Sequence, residues 1–240
     1  MTRLAYLMKQ NATNKVLGRL AKLDSCSIAS AVDSLGVRLL NEGFSGPGII
    51  CRTPVLAPMV GSAVTLKVRS SEPPMKKAFY LDQPDWWVRL ETAAGPRILV
   101  IEDTDAHPGR GSLVGPVHAC ILKAMGFAGV VTSGAVRGPN VFEEIGLHAF
   151  SGNISPSHAY CHIVEMGGAV EVAGLRIEAG EIVHGDLNGI VKIPADVLDK
   201  IPGIAEQFRE REQRVCRFCS TSDFSPMMVQ RIIGADSSRG

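Results

Sequence analysis

One short segment contains residues that together could bind an anion. It covers residues 111–139 and reads GSLVGPVHACILKAMGFAGVVTSGAVRGP. Pro116 suits the first position of a helix, because its missing N–H would have no partner there, and this makes Gly115 the predicted N-cap. A helix start presents unpaired backbone N–H groups and a partial positive charge. The segment therefore predicts a place where a carboxylate or a phosphate can bind.

Arg137, whose guanidinium could bind the same anion, follows later in this segment. Residues 128–132 form a short apolar run that predicts a buried strand, and Ser133 and Gly134 are expected to break it before Arg137. If the strand end and the helix start share one edge of a sheet, Arg137 could contact the same anion through charge-assisted hydrogen bonds. The alternative is that Arg137 caps a neighbouring helix or pairs with Glu143 or Glu144.

The helix that positions this site should run from Pro116 to about Gly126, which is predicted to end it. Its spacing indicates one buried face, formed by Val117, Cys120, Ile121, Ala124 and Met125. His118 lies in the first turn. An imidazole with an unperturbed pKa titrates near neutrality, so His118 is a candidate for proton transfer.

A second group of polar residues comes just before this helix. The apolar run at 97–101 predicts a strand, and it ends in EDTDAHPGRG, which contains Asp103, Asp105 and His107. Carboxylates at strand ends are frequent ligand-binding and catalytic groups in α/β sheets. Aspartates are equally common as turn formers, because they hydrogen-bond to their own backbone. Both interpretations remain open for these residues.

The composition of the chain limits the kinds of molecule that it is expected to bind. The chain has 240 residues, a formal net charge of +1 and 20% charged residues. Such a chain has no overall field to attract nucleic acid or an acidic membrane surface, and no apolar run is long enough for a membrane span. Its six cysteines lie in apolar surroundings that suit reduced, buried thiols in the cytoplasm, and the Cys216–Cys219 pair lacks the second pair that a zinc site needs. We therefore expect a cytoplasmic protein with a small-molecule ligand.

The chain divides into three predicted parts. Residues 1–22 form an N-terminal arm or helix, residues 23–194 an α/β domain, and residues 195–240 a C-terminal helical extension. Trp86 and Trp87 lie in a proline-rich stretch, where packing in the core or between subunits is favoured over ligand stacking. Asp186 is predicted to be a turn residue, and His158 is predicted to be structural.

With these elements placed, the sequence resembles the family of 4-hydroxy-4-methyl-2-oxoglutarate aldolases and the regulator of ribonuclease activity A. The likeness covers about residues 23–194. It is carried by SIASAVDSLG, MVGSAVTLKV, ILVIED, GPVHACILKAMGFAGVVTSGAVRG and GEIVHGDLNGIVKIP. The resemblance implies a swivelling-domain-like α/β/α sandwich that usually assembles into a ring-shaped homotrimer with active sites between subunits.

The same resemblance implies an activity and a set of site residues. Family enzymes cleave 2-oxo acids into pyruvate units, and many decarboxylate oxaloacetate, with Mg²⁺ or Mn²⁺ as cofactor. Arg137 would hold the substrate and stabilise the enolate. The substrate-binding loop would be formed by Gly115, Pro116, Val117 and His118.

This chain departs from the family at two positions. Gly138 stands where the family has a metal-binding aspartate, and Pro116 stands where it usually has an acidic residue. Divalent cations of this kind prefer carboxylate oxygens, which neither residue can supply. Replacement ligands or proton carriers would have to come from Asp103, Asp105, His107 or His118.

Three functions are consistent with these residues. The first is a lyase that cleaves a small 2-oxo dicarboxylic acid, by retro-aldol reaction or decarboxylation, and releases pyruvate. The second is a non-catalytic member that binds a carboxylate metabolite or a protein partner. The third is a diverged enzyme with another substrate. We expect the lyase chemistry of the family.

Overall fold

The computed structural model describes residues 3–74, 90 and 95–237; Trp86 and Trp87 lie outside them. The helices of the described chain are α1 (Arg3–Leu20), α2 (Ser25–Ser34), α3 (Pro116–Ala124), α4 (Pro139–Glu144), α5 (Ile201–Cys219) and α6 (Pro226–Ser237). Its strands are β1 (Ile50–Cys51), β2 (Met59–Arg69), β3 (Arg97–Asp103), β4 (Ser112–Val114), β5 (Phe127–Val136), β6 (His148–Ile154), β7 (His162–Met166), β8 (Val170–Val172), β9 (Leu175–Ile177), β10 (Ile182–Asp186) and β11 (Gly189–Ile193).

A mixed sheet forms the centre of the molecule. Its described strands follow the order β1-β6-β5-β3-β2-β10-β11, with β4 added beside β5 and β7 beside β2. Strands β2, β3, β5 and β6 are parallel neighbours, whereas β10 and β11 are antiparallel. Six of the seven residues of β3 are buried, which explains its continuous apolar sequence. The α/β class predicted from the sequence is confirmed.

Different elements cover the two faces of the sheet. On one face, Ala119 and Leu122 of α3 and Phe142 of α4 pack in one apolar cluster with Leu99 of β3. On the other face, the β8–β9 hairpin packs in a cluster that includes Val100 of β3. Because both faces of β3 are covered by apolar groups, the central strands are held rigidly and their ends are well positioned.

Helices α1, α2 and α5 contribute to a third apolar cluster. Leu20 of α1, Ile28 of α2 and Ile201 of α5 are each fully buried there, together with residues of β2 and β11. Burial of an aliphatic side chain of this size stabilises the fold by about 1.5–3 kcal/mol. The first and last helices of this cluster are therefore part of the folded body.

Asp186, predicted to be a turn residue, also connects distant elements. Its carboxylate accepts a hydrogen bond from the backbone N–H of Asn188 in the β10–β11 turn at 2.8 Å. It also accepts hydrogen bonds from the backbone N–H and the hydroxyl of Ser25, the first residue of α2. Burial raises the pKa of Asp186, but the hydrogen bonds from Ser25 and Asn188 outweigh it and hold the pKa below its usual value. This carboxylate anchors the start of α2 to the sheet.

Strand β5 is longer than the sequence predicted. The expected break at Ser133 and Gly134 is wrong, because the strand continues through both residues with a register irregularity against β6. The Gly134 N–H donates to the Thr132 hydroxyl at 3.0 Å, and the Asp103 N–H donates to the Ser133 hydroxyl at 2.9 Å. Side-chain hydrogen bonds therefore satisfy the backbone at the irregularity, and Arg137 directly follows the strand end.

Helix α3 begins and ends as predicted, but its buried face was predicted wrongly. Gly115 is the N-cap, Pro116 is the first helical residue, and Gly126 follows the helix with a φ of +84°. The buried residues are His118, Ala119 and Leu122, whereas Val117 is 67% exposed. Of the predicted face, Val117, Cys120 and Ala124 are exposed, whereas Ile121 and Met125 are partly buried, and Met125 packs against the core.

Two further expectations concern thiols and membranes. All six cysteines are free, but the expectation that they are buried is wrong for most of them, since only Cys161 is buried, whereas Cys26, Cys120, Cys216 and Cys219 are exposed. Among the helices described, none combines the length and the apolar character that crossing a bilayer requires.

Candidate functional site

The end of β5 and the start of α3 meet at one edge of the sheet. Strand β4 pairs in parallel with the end of β5, and the Arg137 N–H donates to the Val114 carbonyl at 3.2 Å. A Cβ added to Gly115 would lie 3.8 Å from both Cβ and Cδ of Arg137. The guanidinium-bearing residue therefore lies beside the N-cap of α3, as the predicted anion site requires.

The guanidinium contacts the imidazole of His158, a residue that was predicted from the sequence to be structural. Arg137 Nη1 lies 3.0 Å from His158 Nε2, and His158 Nδ1 lies 2.6 Å from the Ser112 carbonyl oxygen. Because the carbonyl oxygen can only accept, Nδ1 must carry the proton in this contact. Nε2 of the neutral ring then accepts the hydrogen bond from Arg137.

Among the described residues, Arg137 has no acidic counterpart in this arrangement, since no carboxylate there forms a salt bridge with its guanidinium. The alternative in which Arg137 pairs with Glu143 or Glu144 is therefore not observed. The side chain is exposed, so a dissolved anion can reach a cation whose partner is an uncharged ring.

His118 provides a second imidazole at the same place. It is 3% exposed, and its ring centroid lies 6.3 Å from that of His158, with an edge-on geometry of 70°. Burial, the largest cause, lowers the pKa of His118 to about 4. His118 is consequently neutral at pH 7 and is a weak base. Its predicted role in proton transfer depended on a pKa near 7, which the folded protein does not give it.

The two positions that depart from the family contact each other. Gly138 is the N-cap of α4 and has a φ of +63°, a conformation that favours glycine. A Cβ added to Gly138 would lie 2.9 Å from Cγ of Pro116. The proline ring therefore occupies the space beside Gly138, and neither residue offers a side-chain oxygen as a ligand. The residues at this corner do not fit a divalent cation.

Asp103 and Asp105 act as loop anchors. Asp105 accepts four hydrogen bonds of 2.7–2.9 Å from the N–H and hydroxyl groups of Ser70 and Ser71. Burial raises the pKa of Asp105, but these hydrogen bonds outweigh it and lower the pKa below its usual value. Asp103 accepts from the N–H groups of Asp105 and Gly109, and burial raises its pKa. The turn-forming interpretation of these aspartates accounts for their contacts.

The loop after β3 borders an open cleft of about 560 Å³ at the same sheet edge. Asp105, His107 and Arg110 line it on one side and Asn153 on the other, whereas Arg137 and His118 are not among its lining residues. In the part of the chain that is described, no three His, Cys, Asp or Glu side chains converge on a point where a metal ion could bind. Asp103, Asp105 and His107 are not assembled into a ligand set.

A cation beside a helix N-terminus, at the edge of a largely parallel sheet, is typical of α/β proteins that bind small anions. The RraA-like family model, described as Aldolase/RraA, matches residues 26–192. The chain belongs to this RraA-like family, and the resemblance inferred from its motifs is confirmed.

Individual relatives are distant. An uncharacterised protein of Methanocaldococcus jannaschii is 25% identical over 158 residues, which are 65% of this chain and 70% of the relative. A solved structure of an uncharacterised protein from Pseudomonas syringae pv. tomato has a TM-score of 0.70 at 21% identity and covers 92% of this chain and 93% of its own. Streptomyces coelicolor RraAS2, described as an unusual member of the RNase ES inhibitor RraA family, has a TM-score of 0.65 at 19% identity, covering 83% and 94%. The two structures establish the fold alone.

Proposed function

We propose that this protein is a lyase that releases pyruvate from a small 2-oxo dicarboxylic acid such as oxaloacetate. The observation that carries the proposal is the position of Arg137, which lies beside the N-cap of α3 and has a neutral imidazole as its partner. The backbone N–H groups at the start of α3 and the guanidinium supply two sources of positive potential. Together they suit a substrate with a carboxylate and an adjacent carbonyl oxygen.

Of the two reactions, decarboxylation fits these residues better than retro-aldol cleavage. In decarboxylation the bond to the departing carboxylate breaks, CO₂ leaves, and the electron pair moves to the 2-oxo group to form the pyruvate enolate, which then takes a proton from water. Positive charge at the developing enolate oxygen lowers the barrier. A retro-aldol reaction also needs a base to remove the hydroxyl proton, and neither imidazole suits this role. His118 is a weak base, and His158 Nε2 already accepts a hydrogen bond from Arg137.

The proposal does not require the Mg²⁺ or Mn²⁺ expected from the family. Pro116 and Gly138 provide no side-chain oxygen ligand where the resemblance implies a metal-binding aspartate, so enolate stabilisation is assigned to Arg137 and the α3 amides. The test is pyruvate release from oxaloacetate in the presence of EDTA, corrected for the enzyme-free rate because free divalent cations decarboxylate oxaloacetate themselves. Turnover that persists in EDTA and disappears in Arg137→Ala supports the proposal. Turnover that requires added Mg²⁺ contradicts its metal-free form.

A non-catalytic role is the second candidate. The loss of both acidic positions and the low pKa of His118 favour it, because they remove the usual groups for proton transfer and metal binding. Such a protein would bind a carboxylate metabolite at Arg137, or would bind a protein partner. Calorimetry separates these cases: oxalate binding without turnover of any 2-oxo acid indicates a sensor, and no binding of any oxo acid indicates a protein-partner role. Turnover of other 2-oxo acids, without turnover of oxaloacetate, would indicate a diverged enzyme.

From the family we also propose a ring-shaped homotrimer built of swivelling-domain-like α/β/α sandwiches in the cytoplasm. Two exposed apolar side chains next to the site support a subunit contact there. Val117 in the first turn of α3 is 67% exposed, and Ile154, which pairs with Val136 at the end of β5, is 45% exposed. Light scattering coupled to gel filtration tests the trimer, and Val117→Asp should weaken it.

A further inference from the structure

The geometry assigns His158 as a positioning residue for Arg137, a neutral hydrogen-bond acceptor that holds the guanidinium beside the start of α3 and leaves its charge available to an anion. The catalytic consequence of this assignment rests on the proposed function. The orientation of Arg137 by His158 is a property of the ligand-free protein and can be tested separately.

The imidazole is fixed on its far side. His158 Nδ1 donates to the carbonyl of Ser112, a fully buried residue of β4. The neighbouring backbone is also tied to fixed elements, since the Ser112 N–H donates to the Ser157 carbonyl at 3.1 Å and the Cys161 N–H donates to the His158 carbonyl at 2.9 Å. These contacts determine both the position of the ring and its tautomer, so Nε2 is presented as an acceptor.

The ring also lies against the anion-binding face of α3. A Cβ added to Gly115 would be 3.5 Å from Cε1 of His158 and 3.8 Å from the side chain of Arg137. The N-cap of α3 therefore lies beside both the imidazole of His158 and the aliphatic part of the Arg137 side chain. By orienting Arg137, His158 also determines the position of the guanidinium relative to the N-terminus of α3.

Because the imidazole of His158 is uncharged, its contact with Arg137 orients the guanidinium without neutralising it. An arginine has five N–H groups, and a single neutral acceptor orients the side chain while it uses one of them. A carboxylate in the same place would hold Arg137 more strongly, but it would also cancel the positive potential that attracts an anionic ligand. A neutral imidazole provides orientation without this cancellation.

Three substitutions of His158 distinguish these effects. His158→Gln places an amide oxygen where Nε2 lies and retains the acceptor for Arg137. His158→Asn is shorter, retains a donor for the Ser112 carbonyl and removes that acceptor. His158→Glu retains an acceptor but makes it negative.

The first measurement is ¹⁵N relaxation of the Arg137 Nε–Hε group in the ligand-free protein, assigned by its loss in Arg137→Lys. We expect an ordered signal in the wild type and in His158→Gln, and a mobile one in His158→Asn. The second measurement is calorimetric binding of oxalate. Loss of one hydrogen bond to a charged group should weaken oxalate binding about tenfold in His158→Asn, and the change in His158→Gln should be no more than about threefold. His158→Glu should abolish binding while Arg137 remains ordered.

Unchanged Arg137 relaxation and unchanged oxalate affinity in His158→Asn would overturn the assignment. Equal losses in His158→Asn and His158→Gln, with melting temperatures lowered together, would also overturn it, because they would indicate a general structural role. If the wild type binds no oxalate, the proposed function fails, and the relaxation measurements still decide the role of His158.

Discussion

The ring of Pro116 lies directly beside Gly138, where an added Cβ would be only 2.9 Å from Pro116 Cγ. These are the two positions at which the RraA-like resemblance led us to expect acidic residues. Their contact means that the two departures form one structural feature, in which a ring at the start of α3 fills the space that a side chain at 138 would need. In this chain the corner is an apolar contact without side-chain oxygen atoms.

Stability measurements can test this contact directly. Gly138→Ala should lower the free energy of unfolding by about 1–3 kcal/mol, because it combines a left-handed φ with a clash against Pro116. Gly36→Ala is the matched control, since Gly36 has a φ of +61° and nothing within 4 Å of an added Cβ. Urea unfolding should show the larger loss for Gly138→Ala, and adding Pro116→Ala should recover at least about 0.5 kcal/mol of it. Equal losses at 36 and 138 would argue against the contact.

Removal of the guanidinium should affect ligand binding far more than folding. Arg137→Ala should weaken oxalate binding and oxaloacetate turnover by about 10–100-fold, because charged hydrogen bonds to the anion are lost. The side chain is exposed, so the free energy of unfolding should change by about 0.5 kcal/mol or less. Arg110→Ala, at an exposed arginine of the neighbouring cleft, serves as the control. A similar loss of binding in both variants would indicate a diffuse electrostatic effect instead of a site at Arg137.

His118 should make stability depend on pH in a specific range. Its pKa is about 4 in the folded protein against 6.5 for the unperturbed group, so the unfolded chain takes up a proton at a higher pH than the native state does. The stabilising contribution is therefore complete above pH 6.5, declines as the pH falls, and levels off below about 4, with a total of about 3 kcal/mol at most.

Urea unfolding between pH 7 and 4 should reveal this decline as a difference between the wild type and His118→Leu. Other buried histidines, including His148 and His184, titrate in both proteins, so the comparison isolates His118. Parallel stability curves for the two proteins would show that His118 does not carry the depressed pKa.

Asp186 should contribute to stability through its hydrogen bonds to α2. Asp186→Ala should lower the free energy of unfolding by about 2–3 kcal/mol, since it leaves buried donors without acceptors. Ser25→Ala removes only the hydroxyl donor and should cost about 1 kcal/mol. Because the folded pKa of Asp186 is depressed below 3.8, its contribution is present above that pH and is lost as the pH falls through the folded value. Denaturant unfolding at pH 7 and pH 3 measures both effects.

Several features could be predicted from sequence because they depend on neighbouring residues. Gly115 and Pro116 specify a helix start, because proline lacks the backbone N–H that would have no partner at the first helical position. The apolar run of β3 indicates a strand buried on both faces. The motifs around Arg137 were sufficient to identify the family. Even there, the local pattern failed at Ser133 and Gly134, where β5 continues while the Gly134 N–H donates to the Thr132 hydroxyl and the Ser133 hydroxyl accepts from the Asp103 N–H of β3.

Other features were decided by contacts between distant parts of the chain. His158 is separated from Arg137 by 21 residues, and no spacing rule connects them, so only the path of the chain around β4 brings the imidazole to the guanidinium. The choice of buried stripe in α3 follows from how the helix lies on the sheet, and that same burial lowers the pKa of His118. Sequence determined that a helix start and an arginine were present, because those depend on local chemistry. Tertiary structure determined which groups surround them and in what charge state, because burial and distant contacts exist only in the folded protein.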